Sequence, residues 1–416
     1  MLRSIEKVKP DLITLFLVLG YVAYLCLWTL TISFNGAPDE YTHFFMVEYI
    51  VSNGAVPKIG EPIGGLVGAV SGGVWPAGVF WYYGLPFLHV LGGAATYEIF
   101  GGFLPDDLKF LSVRFFDILL GGLFVALGFK VCLRVTKSIR YALIISLSIS
   151  LLPQVAFVFS YFNSDALALV AVMCVVYAYV AYLDSDSKLN AAKLGGALGL
   201  VFLKKIYMWP AIIFVVLMLL GIHLCKRKIT TVSLVVMLLF WALVALPMVV
   251  FCLMHFGEFT GISGQKNFIN EFKNHPGVGF GTCYVLCKDT LFNTDHLSLW
   301  LLGSYQSYLG ATGWMHVKNS TFFYAGFGGV LIALLFVLTY IVVNIVCKRE
   351  NKILLLKYVL PIILFVGMLF GIIGASLFAS QTGLPQAQGR YLFVTIPFLI
   401  YMLGLGYAYF NDGVRK

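Results

Sequence analysis

Long apolar segments, repeated along the whole chain, constrain this sequence more than any other feature. A helix needs about 20 mostly apolar residues to cross the hydrocarbon core of a bilayer. Stretches of about that length lie at 12–33, 112–133, 141–160, 166–183, 207–225, 230–255, 323–346, 357–379 and 391–410, with a shorter one at 191–203. With 60% hydrophobic and only 11% charged residues, the 416-residue chain does not have the composition of a soluble protein. We expect a single all-α integral membrane domain, 1–416, of about ten transmembrane helices.

The distribution of lysine and arginine predicts how these helices are oriented. Cytoplasmic loops are enriched in both residues, and ten crossings place the basic segments on one side. These segments are Arg3 to Lys9, Arg134 to Arg140, Lys188 to Lys193, Lys226 to Lys228, Lys348 to Lys357, and Arg415 with Lys416. Both termini are then cytoplasmic, and 79–101 does not cross. The net charge of +9 reflects topology and anionic lipid, and nothing indicates nucleic acid. We expect 12–33 to be a retained anchor and not a cleaved signal.

Two larger extracytoplasmic loops follow from this arrangement, at 34–111 and 256–322. In the first, apolar residues recur at helical spacing from Asp39 to Asn53, which predicts a short helix on the membrane surface. The second contains Cys283 and Cys287, whose spacing of four allows a disulfide in an oxidising compartment, with unpaired thiols as the equal alternative. The other six cysteines lie in or beside apolar segments, where a free thiol behaves as a small apolar side chain.

The candidate chemistry lies just after the first apolar segment, in Pro38-Asp39-Glu40-Tyr41-Thr42-His43. On a helix, Asp39, Glu40 and His43 converge on one side, where they can serve as acid, base or metal ligands. Asp39 can instead cap the helix that follows, but capping does not explain Glu40 and His43. A divalent metal on Glu40 and His43 stays open, because two or three ligands in one segment are too few to define a site.

Smaller polar signals fall on the same predicted outer side. Asn163 and Asp165 lie in the turn between the third and fourth helices, where capping is the alternative to a functional role. Lys204 and Lys205 end the short fifth segment, against the positive-inside trend, and so indicate a nearby anion. Arg390 precedes the last helix, and its bidentate fork suits a phosphate. For the three cations, the alternative is snorkelling to lipid headgroups.

The polar segments occur in a characteristic order along most of the chain. They are Pro38-Asp39-Glu40-x-x-His43, Asn163-x-Asp165-Ala166, Gly195 to Lys205, Ser298-x-Trp300, Gly313-Trp314 and Gln388-Gly389-Arg390-Tyr391-Leu392. This order resembles a family of bacterial membrane proteins that is in turn similar to the membrane glycosyltransferases of the GT-C fold. With the resemblance we expect a cavity lined by Asn163, Asp165, Gln388, Tyr391 and Trp314.

The resemblance implies transfer of a sugar from a polyprenyl-phosphate donor to a glycan or lipid-linked acceptor at the outer face of the bacterial cytoplasmic membrane. The expected reaction is a single inverting displacement, in which a carboxylate takes the acceptor proton. We expect Asp39 in that role, with Glu40 as partner or substitute and His43 orienting Asp39. Arg390 and Lys205, with Lys204 behind them, are expected to stabilise the leaving phosphate.

Two other classes of protein stay open on the sequence. A flippase or other transporter also has ten or more helices, but its ionisable residues lie mid-membrane. Here nearly all the acids lie at the predicted outer edge, with Asp117 and Lys130 as ambiguous cases. An O-antigen polymerase or ligase shares the lipid-linked substrate and the large outer loop, and its activity should not depend on Asp39.

Overall fold

Almost all of the described chain is helical. The computed structural model describes residues 9–57, 88–225, 229–259, 294–313, 315–348, 352–382 and 388–414. The helices are α1 Pro10–Thr31, α2 Glu40–Asn53, α3 Leu88–Phe100, α4 Phe110–Thr136, α5 Ile139–Ser150, α6 Pro153–Val158, α7 Ser164–Asp184, α8 Lys188–Phe202, α9 Pro210–Leu224, α10 Thr231–Phe256, α11 Thr294–Leu309, α12 Thr321–Cys347, α13 Leu360–Thr382 and α14 Thr395–Val414.

Shorter elements connect these helices. Single 3₁₀ turns lie at Gly101–Phe103, Asp106–Leu108, Ile206–Met208 and Gly389–Leu392. A helical turn, Lys352–Leu354, and a π-helical segment, Leu355–Val359, lead into α13. The strands β1 Ala311–Thr312 and β2 Val317–Lys318 pair antiparallel, with Ala311 opposite Lys318. The six cysteines of the apolar segments are free thiols, whereas Cys283 and Cys287 lie outside the described residues.

Each predicted apolar segment corresponds to helix in the structure. Within the described ranges, seven helical stretches are long and apolar enough to cross a membrane: Pro10–Thr31, Asp106–Thr136, Ser164–Asp184, Ile206–Leu224, Thr231–His255, Thr321–Cys347 and Lys352–Phe378. The other three predicted segments fall on α5 with α6, on α8 and on α14. The chain is therefore a multi-pass helical membrane protein, and the number of ten crossings stays a prediction.

Of the segment expected not to cross, 79–101, the structure describes residues 88–101, and Leu88–Phe100 form α3 with 13 residues. A helix of that length is about 20 Å long, less than the hydrocarbon thickness. It packs on α2 and α4, and the absence of a crossing at 79–101 stays a prediction. The helix predicted from Asp39 to Asn53 is present as α2, and it ends at Gly54 in the left-handed conformation. Its position on the membrane surface stays a prediction.

Helix α7 lies at the centre of the bundle. Nearly all of its side chains are buried, and it packs against α4, α8 and α14. Its small and β-branched residues, mostly alanine and valine, allow neighbours to approach from every direction. Because α7 begins at Ser164, this central helix presents Asp165 at one end of the bundle, and Asp184 lies at the other.

Two glycines on α8 allow its close contact with α10. A Cβ on Gly195 would lie 2.1 Å from the carbonyl oxygen of Met237, and one on Gly199 would lie 2.8 Å from that of Trp241. The two backbones therefore touch, as small residues four apart permit in membrane helices. Since α8 ends at Phe202, this contact fixes the segment that carries Lys204 and Lys205.

Candidate functional site

Glu40 forms a buried ion pair that holds the first loop on the helix bundle. Its Oε1 accepts from Arg114 Nε at 2.6 Å, and its Oε2 accepts from Arg114 Nη2 at 2.8 Å. Both side chains are completely buried. The other N–H groups of Arg114 donate to three backbone carbonyls, those of Thr29, Ile32 and Ser33. These carbonyls lie at the C-terminal end of α1, where helical donors run out.

The hydrogen-bonding capacity of Glu40 is used by the protein itself. Besides Arg114, the backbone N–H groups of Asn35 and Phe162 donate to its carboxylate. Four donors on two oxygens leave no open position for a metal ion or a substrate hydroxyl. The sequence-based roles of Glu40 as base and as metal ligand do not fit this arrangement. Its geometry is that of a residue that positions the loop carrying Asp39.

Asp39 forms an ion pair with an arginine near the C-terminal end of the chain. Its Oδ2 accepts from Arg390 Nη1 at 3.0 Å, and the two side chains are 24% and 25% exposed. The backbone of Asp39 is left-handed, with φ of 67°, a conformation that aspartate tolerates better than most residues. Its side chain makes no capping hydrogen bond to α2, so the capping alternative does not describe it.

The position of Arg390 depends on Gly389. The Gly389 N–H donates to Ser307 Oγ at 2.5 Å, and a Cβ there would lie 2.1 Å from the backbone nitrogen of Tyr308. The turn thus rests directly on α11. Burial opposes the charge of Arg390, but the carboxylates of Asp39 and Asp165 outweigh it and raise the pKa of the guanidinium well above its usual value.

A second ion pair lies beside the first. Lys205 Nζ is 2.8 Å from Asp165 Oδ1, and the Tyr207 hydroxyl donates to the same oxygen at 2.5 Å. Asp165 is nearly buried, while Lys205 is 18% exposed. The ring of Tyr207 meets that of Tyr391 edge to face at 5.3 Å. Two cations and two carboxylates from four distant parts of the chain therefore meet at one end of the bundle.

The side chain of Asn163 hydrogen-bonds to the backbone at the start of α7 and not to Lys205 or Arg390. Its Oδ1 accepts from the Asp165 N–H at 2.8 Å, which caps α7. Its backbone N–H donates to Asp117 Oδ2 at 2.9 Å, and Asp117 Oδ1 lies 2.7 Å from His89 Nε2. The capping alternative holds for Asn163. Asp117, ambiguous on the sequence, is a buried link between α3, α4 and α7.

His43 and Lys204 are buried behind the ion pairs. Burial lowers the pKa of His43 to about 4, so the imidazole is neutral at pH 7. Burial also lowers the pKa of Lys204 to about 7. The Lys204 ammonium has no hydrogen-bond partner among the described residues. The two lysines therefore have different environments: Lys205 pairs with Asp165, and Lys204 is buried beneath the two ion pairs.

The remaining predicted lining residues fall on the Arg390 side. Tyr391 is partly buried next to Arg390, whose guanidinium carbon is 5.8 Å from the centre of its ring. Gln388 is partly buried and directly precedes the 3₁₀ turn of Gly389. Trp314 lies outside the described residues.

An apolar groove runs along the membrane-spanning helices and ends at two tyrosines next to the ion pairs. It has a volume of about 1030 Å³ and lies between α9 and α13, with Tyr207 and Tyr391 in its lining. Its other lining residues are almost all apolar, among them Ile213, Leu217 and Ile372. The two tyrosines that border the groove also contact Asp165 and Arg390. A ligand with a long apolar chain and a charged head fits this arrangement.

The described residues contain no group of three His, Cys, Asp or Glu side chains placed to hold a metal ion. The pair suggested by the sequence fails on Glu40, which Arg114 occupies. Asp39 and Asp165 are each bound to a cation. The residues described here therefore do not fit the metal site considered from the sequence.

The site also contains three residues that could not be identified from the sequence: Arg114, His89 and Tyr207. Arg114 and Asp117 lie within a predicted apolar segment, and a charge in such a segment is itself a signal. His89 carried no signal, because its partner Asp117 is 28 positions away. Tyr207 is the first residue of a predicted apolar segment and carried no signal of its own, because its partner Asp165 is 42 positions away.

Comparison with known proteins identifies the fold. No protein-family model matches the sequence, and no curated protein matches it. The crystal structure of ArnT from Cupriavidus metallidurans bound to undecaprenyl phosphate matches with a TM-score of 0.51 at 16% identity, over 93% of this chain. The chain spans 60% of the length of that ArnT chain. The apo-state crystal structure of ArnT gives a TM-score of 0.40 at 15% identity, over 94% of this chain and 77% of that one. This chain therefore has a GT-C-like membrane fold, similar to that of ArnT.

Proposed function

We propose that this protein is a membrane glycosyltransferase that moves a sugar from a polyprenyl-phosphate donor to a cell-surface glycan or lipid-linked acceptor. The site lies at the outer face of the cytoplasmic membrane. The observation that carries the proposal is that the apolar groove reaches Tyr207 and Tyr391, which contact Asp165 and Arg390 of the two ion pairs. An isoprenoid chain needs an apolar surface, and its phosphate needs cations at the end of that surface. The fold supports the proposal, because ArnT, which shares it, was crystallised with undecaprenyl phosphate.

Binding of the donor phosphate exchanges the ion pairs. Arg390 and Lys205 are held by Asp39 and Asp165 at 3.0 and 2.8 Å. The oxygens of a phosphodiester compete with these carboxylates for the same cations, and the guanidinium fork suits two of them. When Arg390 binds the phosphate, its ion pair with Asp39 breaks. The carboxylate is then available when the donor is in place.

Asp39 acts as the general base in the transfer. The acceptor hydroxyl oxygen forms a bond to the anomeric carbon from the face opposite the phosphate, and Asp39 takes its proton. The bond from the anomeric carbon to the phosphate oxygen breaks, and its electron pair leaves with the polyprenyl phosphate. The leaving phosphate gains one negative charge, which Arg390 and Lys205 stabilise. One displacement inverts the configuration and needs no protein nucleophile.

The buried groups keep this arrangement in place. Glu40 and Arg114 fix the loop between α1 and α2, so that Asp39 is presented from a rigid support. The Tyr207 hydroxyl fixes the carboxylate that orients Lys205. His43, neutral and buried, packs against Phe162 with ring centres 6.2 Å apart. It serves as a packing and positioning group beneath Asp39.

The proposal is tested by comparing Asp39→Asn with Asp107→Asn in membranes. Asp107 is an exposed aspartate in the same loop region, so its substitution removes one carboxylate without touching the site. We expect Asp39→Asn to reduce glycosyl transfer by about 10²–10⁴-fold, the range for loss of a general base. Extracted lipids are analysed by mass spectrometry for the polyprenyl-phosphate sugar, and the surface glycan is analysed for its modification.

Accumulation of the lipid-linked sugar at normal expression of Asp39→Asn, with wild-type behaviour of Asp107→Asn, would support the proposal. A surface glycan in Asp39→Asn that is modified to the same extent as in the wild type would remove Asp39 from the chemistry and favour a polymerase or ligase. Accumulation of lipid-linked sugar only on the cytoplasmic side would favour a flippase.

A further inference from the structure

We propose that a second cavity, at the opposite end of the bundle, binds the phosphate headgroup of an anionic lipid from the cytoplasmic leaflet. The cavity has a volume of about 510 Å³ and lies among the ends of α4, α7, α9 and α14 and the π-helical segment. It shares no lining residue with the outer groove. The inference does not depend on the proposed function.

The two sites lie at opposite ends of helix α7, so the length of this helix gives the distance between them. Asp165, in its first turn, belongs to the outer ion pairs, and Asp184, its last residue, lines the second cavity. Nineteen helical steps correspond to about 28 Å along the axis, close to the thickness of a bilayer core. The cavity therefore lies at the level of the opposite membrane surface, where the sequence predicts the cytoplasm.

The cavity is strongly cationic. Its lining includes Arg134, Lys137, Lys352 and Lys357, against the single carboxylate of Asp184. Arg134 Nη1 is 2.9 Å from Asp184 Oδ2, so that carboxylate already has a partner. Neither Lys137 nor Lys352 forms an ion pair within the described chain. The excess positive charge favours a ligand with at least one negative charge.

The walls favour a lipid over a soluble anion. Between the cationic residues the cavity is lined by Val180, Met218, Ile222, Leu356 and Leu405. A soluble phosphate gains nothing from such walls, whereas acyl chains do. Basic pockets between transmembrane helices on the cytoplasmic side bind lipid headgroups on this principle. The neighbouring π-helical segment Leu355–Val359 carries Lys357, and such segments occur often at functional sites.

The test compares two double variants with the same change of charge. Lys137→Gln with Lys352→Gln removes two lysines of the cavity. Lys188→Gln with Lys193→Gln removes two exposed lysines on the same predicted face that do not line it. Each protein, in an uncharged detergent, is titrated with phosphatidylglycerol or phosphatidylcholine, and bound lipid is counted by native mass spectrometry. The thermal transition is measured in parallel with inorganic phosphate and with phosphatidylglycerol.

We expect the wild type and the Lys188/Lys193 variant to retain phosphatidylglycerol in preference to phosphatidylcholine. The cavity variant should bind phosphatidylglycerol about fivefold more weakly for each lysine removed. Equal retention by all three proteins would overturn the proposal, and so would an equal loss in both variants, which would indicate general surface charge. Stabilisation by inorganic phosphate to the same extent as by phosphatidylglycerol would overturn the assignment to a lipid.

Discussion

Asp39 and Glu40 are neighbours in sequence and each pairs with an arginine, yet the two pairs lie in different environments. The Glu40–Arg114 pair is fully buried, and its remaining hydrogen-bonding groups are matched by backbone partners. The Asp39–Arg390 pair is about one quarter exposed and lies beside the apolar groove. The first arrangement resists exchange of partners, and the second permits it. A carboxylate is structural when it is buried and all of its hydrogen-bonding positions, and those of its partner, are filled by the protein. These two properties, more than residue type, distinguish it from a carboxylate that can act on a substrate.

The largest expected effect is on stability and distinguishes the two carboxylates. Glu40→Gln leaves the Arg114 charge buried without its carboxylate, which should lower the free energy of unfolding by about 3–5 kcal/mol. Asp39→Asn breaks a partly exposed pair, for which about 0–1 kcal/mol is typical. Thermal unfolding of the purified proteins in detergent measures both.

The control for this comparison is Glu98→Gln, which removes an exposed carboxylate at the end of α3. It should unfold with the wild type. If Glu40→Gln is as stable as the wild type but inactive, the roles given to the two carboxylates are reversed and Glu40 belongs to the chemistry.

Much of this comparison could be predicted from the sequence, because membrane helices leave a strong signal. The apolar segments located the helices, and the positions of Asp39, Asp165, Lys205 and Arg390 on one predicted side indicated a common site. The sequence could not reveal the partners. Glu40 finds Arg114 across 74 positions, a pairing that only the packing of α1 on α4 creates.

The second-largest expected effect is a dependence of stability on pH, which comes from the buried side chain of His43. The pKa of His43 is lowered by burial to about 4 in the folded protein, against about 6.5 when unfolded. Between these values the unfolded state binds more protons, so stability rises with pH in that window. The stability that the neutral His43 side chain contributes is fully present above about pH 6.5. It decreases by about 3 kcal/mol in all as the pH falls to about 4.

Thermal transitions measured from pH 4 to pH 7.5 test this dependence. His89, whose pKa burial also lowers, adds a slope of the same sign. His43→Gln should therefore reduce the slope without removing it, and His223→Gln, an exposed histidine at the other end of the bundle, controls for the loss of an imidazole as such. An unchanged slope in His43→Gln would mean that this side chain takes up its proton before unfolding.

The smallest effect concerns the exchangeable pair itself. Arg390→Lys keeps the positive charge but removes the fork that can hold two phosphate oxygens at once. We expect the KM for the lipid-linked donor to rise about tenfold, which corresponds to about 1.4 kcal/mol, with little change in kcat or in thermal stability. Arg140→Lys is a matched control, because it makes the same change at an exposed arginine near the opposite end of the bundle that lines neither cavity. A rise in KM for both variants would indicate a general effect on membrane association. No change in either would mean that Arg390 only anchors Asp39, and the phosphate would then depend on Lys205 alone.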